Sequence, residues 1–166
     1  MGSVRRLEDR GGGDILMQTK PQKPAIPSHP GHWSLSQIQE ALKRQLPQTM
    51  LKKLPADKGN ARYLPWWTVN KVLDKYCPGW TWEIKDTQIS RDRIFIVGRL
   101  TVPTSKGNVY REAGGTEELK RQAYDKKMGR YTEKELAYGD PLSNAESMAF
   151  RRCAARFGLG LYLYQK

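Results

Sequence analysis

Apolar positions recur at helical spacing in three stretches of the chain and alternate in another, and their order predicts the elements. Ser34 is placed to cap a helix over 35–46, where Leu35, Ile38, Leu42 and Leu46 share a face and Pro47 closes the run. A basic, turn-rich loop follows over 52–62. Tyr63 to Tyr76 reads as a second helix opening near Pro65, with a core stripe of Trp66, Val69, Leu73 and Tyr76. After the Cys77-Pro78-Gly79 turn the period changes to two. Trp80, Trp82 and Ile84 alternate with Thr81, Glu83 and Lys85 as in a half-buried strand. A more apolar strand is predicted over 94–102. The turn Lys106-Gly107-Asn108 leads into a third strand over 109–113. Such short connections make an antiparallel meander, since parallel crossovers need more chain.

Segment 120–137 is charged and weakly periodic, and reads as an inserted mobile loop or hairpin. A long helix comes next. Ser143 and Glu146 have capping-box spacing, Gly158 suits a left-handed stop, and Phe150, Cys153, Ala154 and Phe157 share one face. Residues 159–164 are apolar and β-prone. Gly114-Gly115 reads as a turn or bulge. At the other end, Gly11-Gly12-Gly13 and the prolines 21, 24, 27 and 30 predict a disordered segment over 1–31. Met17 is an alternative start, which leaves open whether residues 1–16 are native. The folded part is then a single domain over 32–166.

The balance of 29 Lys+Arg against 17 Asp+Glu, a formal net charge of +12, favours polyanionic partners. No apolar run approaches the ~20 residues of a membrane-spanning helix, and the N-terminus lacks a secretory apolar core. Cys77 and Cys153 are too few for a disulfide framework or a zinc site, and read as small buried hydrophobes in a reducing compartment. His29 and His32 read as solvated loop residues.

The cations fall into three groups. Arg151, Arg152 and Arg156 lie on the long helix, where a compact guanidinium row is either a phosphate track or a solvated polar face. Lys52, Lys53 and Arg62 lie in the first basic loop. Lys120, Arg121, Lys126, Lys127 and Arg130 lie in the insertion. A catalytic reading has little to stand on: both histidines precede the folded region, and no Walker-type phosphate loop is present. Glu118-Leu119-Lys120, with Asp92 or Asp86, faintly matches the acidic-x-Lys pattern of Mg²⁺-dependent nucleases. No helix-turn-helix, zinc finger or ribonucleoprotein motif offers base readout, so the expectation is salt-sensitive binding without sequence preference.

The run from Ala145 to Tyr164 (AESMAFRRCAARFGLGLYLY), preceded by Tyr138-Gly139-Asp140-Pro141, resembles the Rad52 family of single-strand annealing proteins, in its short bacterial, phage and plant-organellar form. Tyr63-Leu64-Pro65-Trp66, Val69-Asn70, Pro78-Gly79-Trp80 and Tyr110 to Thr116 extend the likeness over about residues 34–166. The resemblance implies an α+β fold, with the β-meander packed on the long helix, and ring or arc oligomers holding single-stranded DNA along a basic groove. It carries backbone contacts onto Lys52 or Lys53, Arg151 and Arg152. The family's third helix cation falls at Ala155, with Arg156 one residue later. The insertion departs from the family's shorter connection and is a candidate second DNA contact. The sequence stops two residues after Tyr164, so an extension for recruiting a recombinase is expected to be missing.

The resulting expectation is ATP-independent annealing of complementary strands in recombination and repair, with no catalytic residues, metal or cofactor. Its partners are single-stranded DNA, further copies of the chain, and a recombinase or single-strand-binding protein, with no membrane. The alternatives are a protein that coats single strands without annealing them and, distantly, the nuclease. The expected location is the cytoplasm or nucleoid of a bacterium or phage-infected cell, with an organelle as the alternative.

Overall fold

The computed structural model describes residues 25–54, 56, 59–136 and 140–165. Most of the segment predicted to be disordered lies outside these residues. The described part, 25–31, has no helix or strand, and its Pro27 is buried. The architecture is α+β. Helix α1 (Leu35–Leu42) is followed by the short antiparallel strands β1 (Lys52–Lys53) and β2 (Arg62–Tyr63), then helix α2 (Trp66–Tyr76). Strands β3 (Thr81–Ile89), β4 (Arg93–Thr104) and β5 (Gly107–Glu118) form the antiparallel meander in that order. Strands β6 (Lys120–Asp125) and β7 (Arg130–Glu135) make a separate hairpin, and helix α3 (Asp140–Arg156) ends the regular structure.

Helix α1 starts where predicted. The Ser34 side chain accepts from the Gln37 backbone N–H, and the Gln37 side chain accepts from that of Ser34. It ends at Leu42, four residues early, and Leu46 packs against the core from the connection beyond. In α2, Val69 and Leu73 are buried as expected, but Trp66 is 47% exposed. The buried face is centred instead on Thr68, Val69, Val72 and Leu73. Trp66 is the first helical residue, where the chain arrives from β2 and no neighbouring layer covers the ring.

One face of the meander carries the core. Ile94, Ile96, Leu100 and Val102 of β4 point inward toward α3, and a bulge at Lys85 re-phases β3 between Ile84 and Asp86. Two glycines let the layers close. A Cβ on Gly98 would overlap the Trp82 indole, and one on Gly115 would overlap the Ala145 carbonyl oxygen of α3. Gly114-Gly115 is therefore neither turn nor bulge. It is uninterrupted β5, paired to Val97 and Ile96, and Gly115 is required as glycine because a helix backbone lies directly on it.

Helix α3 begins at least three residues before the predicted cap, so Ser143 sits inside it. Pro141 occupies the first turn, where its missing N–H has no intrahelical partner to lose. The predicted stop holds. Gly158 has φ 111°, and Leu159 N–H and Gly158 N–H donate to the Ala154 and Ala155 carbonyls in a Schellman arrangement. The β-prone segment after it is a 3-10 turn, Leu161–Leu163, because Gly160 also adopts positive φ (67°) and coils the chain back onto Leu64.

Two hydrophobic clusters result. The larger joins α1, α2, the C-terminal half of α3 and the Leu100–Val102 end of β4. The smaller sits under the N-terminal half of α3 and contains Ile94, Ile96, Ala145 and Ala149, with Trp82 against both. Burial in the larger cluster pushes the Cys77 and Cys153 thiols up to about 12 and 11. Their neutral forms therefore favour the folded state below the ordinary thiol pKa of about 8.5, and that contribution is lost as pH rises toward 11–12. His29 and His32 are exposed loop residues, as expected, and their rings stack with centroids 4.9 Å apart.

Two measurements test this packing. Gly115→Ala should lower unfolding free energy by about 3 kcal/mol or more in urea titration, because backbone must move. Gly114→Ala, one residue away with no atom closer than 3.8 Å to its new Cβ, should leave stability within about 0.5 kcal/mol or raise it. Both thiols should ignore a disulfide reagent at pH 8 in the native protein and react together on unfolding.

Candidate nucleic-acid interface

Three sequence-distant segments converge on the outer side of α3. The β1–β2 ribbon pairs Lys52 with Tyr63 and Lys53 with Arg62, which puts three cations on a four-residue platform. Lys52 Nζ lies 4.8 Å from the centre of the Trp67 ring. Tyr63, opposite Lys52, lies under the Arg151 guanidinium at 5.4 Å. The ribbon predicted as a loop therefore abuts the helix through a cation–aromatic contact.

Arg151 is half-buried, and desolvation pulls its pKa down from the ordinary guanidinium value, while the Tyr164 and Tyr63 hydroxyls act in the opposite direction. The ordinary value is high enough that the group stays charged in any usual buffer. Arg152 is exposed, and its Nη1 donates to the Gly114 carbonyl at 3.0 Å, which holds the guanidinium against the edge of β5. Arg156 is exposed one turn on. Arg152 and Arg156 line a shallow groove with Tyr164 and with Lys43, the residue that ends α1 and is ion-paired to Glu40 at 3.3 Å, and the buried Ala155 also lines it. The position to which the family's third helix cation maps thus carries no charge, and Arg156 enters the groove beside it.

Among the described residues, no carboxylate lies within ion-pair distance of Lys52, Lys53, Arg62, Arg151, Arg152 or Arg156. The acidic groups are engaged elsewhere: Glu112 with Arg99 at 2.7 Å, Glu118 with Arg93 at 3.1 Å, Glu133 with Lys120 at 2.6 Å. Two of these cations lie over aromatic rings instead, Lys52 over Trp67 and Arg151 over Tyr63.

The insertion cations sit apart from this surface, on the β6–β7 hairpin. Lys120 and Arg121 are at its root, and Lys126, Lys127 and Arg130 are at its tip. Of the acidic-x-Lys residues, Asp92, Glu118 and Lys120 come together and Asp86 does not. Asp92 and Glu118 border one groove with Lys120, but Asp92 accepts from Ser90, Glu118 is paired with Arg93, and Asp86 is bonded to Gln88. Among the described residues no group of three or more His, Cys, Asp or Glu side chains could hold a metal ion, and no helix is long and apolar enough to cross a membrane.

Sequence reading missed Lys43, Tyr63, Trp67 and Tyr164. Tyr63 and Trp67 adjoin the basic loop and carried a usable signal, an aromatic beside a cation. Lys43 carried none, because its place depends on how α1 crosses the end of α3.

Residues 34–166 match the family model described as Rad52/22 family double-strand break repair protein. The chain is 31% identical over 134 residues to the "DNA repair RAD52-like protein 1, mitochondrial" of Arabidopsis thaliana, covering 80% of this chain and 68% of that protein. It is 33% identical over 136 residues to the "DNA repair RAD52-like protein 2, chloroplastic" of the same plant, covering 80% of this chain and 61% of that protein. The packed helix, the meander beneath it and this likeness through the whole folded part agree: the chain belongs to the Rad52/22 family of double-strand break repair proteins.

Proposed function

We propose that this protein binds single-stranded DNA by its sugar-phosphate backbone and anneals complementary strands without ATP, as an assembly of several copies, in recombination and repair. The observation that carries this reading is the track from Lys53 and Arg62, through Arg151, to Arg152 and Arg156, none of them in an ion pair among the described residues. Its guanidinium forks suit phosphate oxygens, and it contains no residue set for reading base edges.

The free energy of annealing is that of base pairing. The protein's part is to extend a strand, neutralise its phosphates and leave the pairing edges accessible, so that a second strand meets an ordered partner with less backbone repulsion. No bond is made or broken, so no catalytic residue is assigned. Assembly is supported by the outer face of the meander, where Phe95, Val97 and Tyr110 are exposed on neighbouring strands. A row of copies would extend the track beyond the few nucleotides that one subunit spans. The hairpin cations Lys120, Arg121, Lys126, Lys127 and Arg130 form a second DNA contact in this reading. A recombinase or single-strand-binding protein remains a proposed partner. The organellar names of the two plant relatives support the organelle alternative for its location.

Labelled complementary oligonucleotides should anneal faster with the protein than without it, in the absence of ATP. A protein that binds the strands and slows their pairing would be a coating protein instead. Arg151→Ala/Arg152→Ala should weaken single-strand binding by about tenfold, equally across sequences, and reduce the slope of log K against log salt by roughly 1.4 for two lost phosphate contacts. Binding equal to the parent would remove α3 from the interface. Sedimentation should give a mass of several subunits; a monomer both with and without DNA would overturn the assembly.

A further inference from the structure

The β6–β7 hairpin carries an aromatic pair with no packing role. Tyr124 and Tyr131 face each other across the ribbon, edge to face, with centroids 5.3 Å apart. They are 56% and 70% exposed and belong to neither hydrophobic cluster. Two large rings left in water one rung from a turn do nothing for the core, and an exposed two-stranded ribbon gains only a little from one cross-strand aromatic pair.

The surroundings are cationic. Asp125 is taken up by the turn itself, its Oδ1 accepting from the Lys127 and Met128 backbone N–H groups at 2.8 and 3.1 Å. Glu133 is held by Lys120. That leaves Lys126, Lys127 and Arg130 at the tip, none of them in an ion pair among the described residues. Exposed aromatic faces beside unpaired cations suit one polyanion in particular, a strand whose bases are unpaired. Aromatic rings stack on such bases whatever their identity, and nearby cations take the adjoining phosphates.

We propose that Tyr124 and Tyr131 form a base-stacking site for single-stranded DNA, distinct in chemistry from the α3 track, which holds backbone alone. The proposal rests on the single-strand-binding reading and adds the part of the DNA that the hairpin takes: the faces of unpaired bases. An arrangement of this kind responds to the absence of pairing, because duplex bases offer no open face away from the ends.

The test compares the full chain with Tyr124→Ala/Tyr131→Ala and Tyr124→Phe/Tyr131→Phe, each titrated with oligo(dT) and with an abasic sugar-phosphate oligonucleotide of equal length. Melting temperature and sedimentation mass are measured on each. The Ala pair should bind oligo(dT) about tenfold more weakly than the parent, with an unchanged abasic affinity and salt slope. The Phe pair, which keeps the rings, should match the parent. Equal weakening on both oligonucleotides, or no weakening on either, overturns the stacking site. A drop in assembly mass with the Ala pair, at unchanged oligo(dT) affinity per subunit, identifies the tip as a subunit contact and also overturns it. A parent that binds neither oligonucleotide sinks the single-strand-binding reading and this site together. A parent that binds both while the Ala pair equals it sinks the tyrosine site alone.

Discussion

The direct seating of α3 on β5 is the constraint from which the candidate interface follows. Ala145 and Ala149 of the helix meet Gly115 of the strand with no side chain between the two backbones. A helix held at ordinary side-chain separation could rotate to accommodate its neighbours; one lying on a glycine has a single rotation and height that avoid overlap. That rotation directs Phe150, Cys153 and Phe157 inward, leaves Arg151 half-buried against Tyr63, and leaves Arg152 and Arg156 exposed. The same strand segment then anchors the first exposed guanidinium, since the Arg152 acceptor is the carbonyl of Gly114, the residue before the contact. Packing and charge placement are one arrangement here.

The choice of partners for Arg151 matters as much as its position. Burial disfavours a guanidinium, and a carboxylate neighbour would offset that cost by neutralising the charge. Tyr63 and Tyr164 offset part of it differently, through a ring face and hydroxyl groups that attract the cation while adding no negative charge. The charge is thus located but still available to a phosphate. On β4 and β5 the opposite holds: Arg99 is tied to Glu112 by two hydrogen bonds and Arg93 to Glu118, so these cations are structural. Arg93 and Arg99 are held by carboxylates while Arg151, Arg152 and Arg156 are not, and this contrast is the main electrostatic ground for proposing the helix side as the DNA surface.

Periodicity carried most of the fold. The α1 stripe, Val69 and Leu73 of α2, the meander and the glycine stop of α3 are local in origin, and local rules found them; the alternation predicted for β3 holds at Trp82 but not at Ile84, which is 45% exposed. What escaped was decided by distant chain. Ser143 and Glu146 had the spacing of a helix start, but the helix already includes Asp140, with Pro141 equally at home in its first turn, so the serine lies inside it. Gly114-Gly115 suggested a turn because nothing nearby revealed that a helix would press on the strand. Trp66 looked like core by spacing, although a helix's first residue is covered only if another layer reaches it. For the interface, residue type and clustering found the arginines and the basic ribbon. The Lys43 and Tyr164 walls of the groove depend on how α1 and the final 3-10 turn meet the end of α3, which no local pattern encodes.

Magnitudes decide whether a base-stacking hairpin is compatible with annealing. Aromatic–base stacking is worth about 1–3 kcal/mol per base, and two rings engage at most a base or two. A DNA duplex gains about 1.4 kcal/mol per step from stacking and extends over many steps. On the proposed reading, a few new base pairs would release the hairpin, whereas phosphate contacts of the α3 track would persist because they would not involve the bases. The tie between hairpin and body suits such exchange. Backbone bonds from Leu119 to Asp92 and from Leu136 to Leu119 join its root to the meander, with Leu119 packed on the smaller cluster. The tyrosines lie four rungs further out, beyond either cluster, on a two-stranded ribbon of the kind that has little stability of its own. A firm hold on the backbone and a weak, reversible hold on the bases are the combination in which a bound strand stays ordered yet surrenders to its complement.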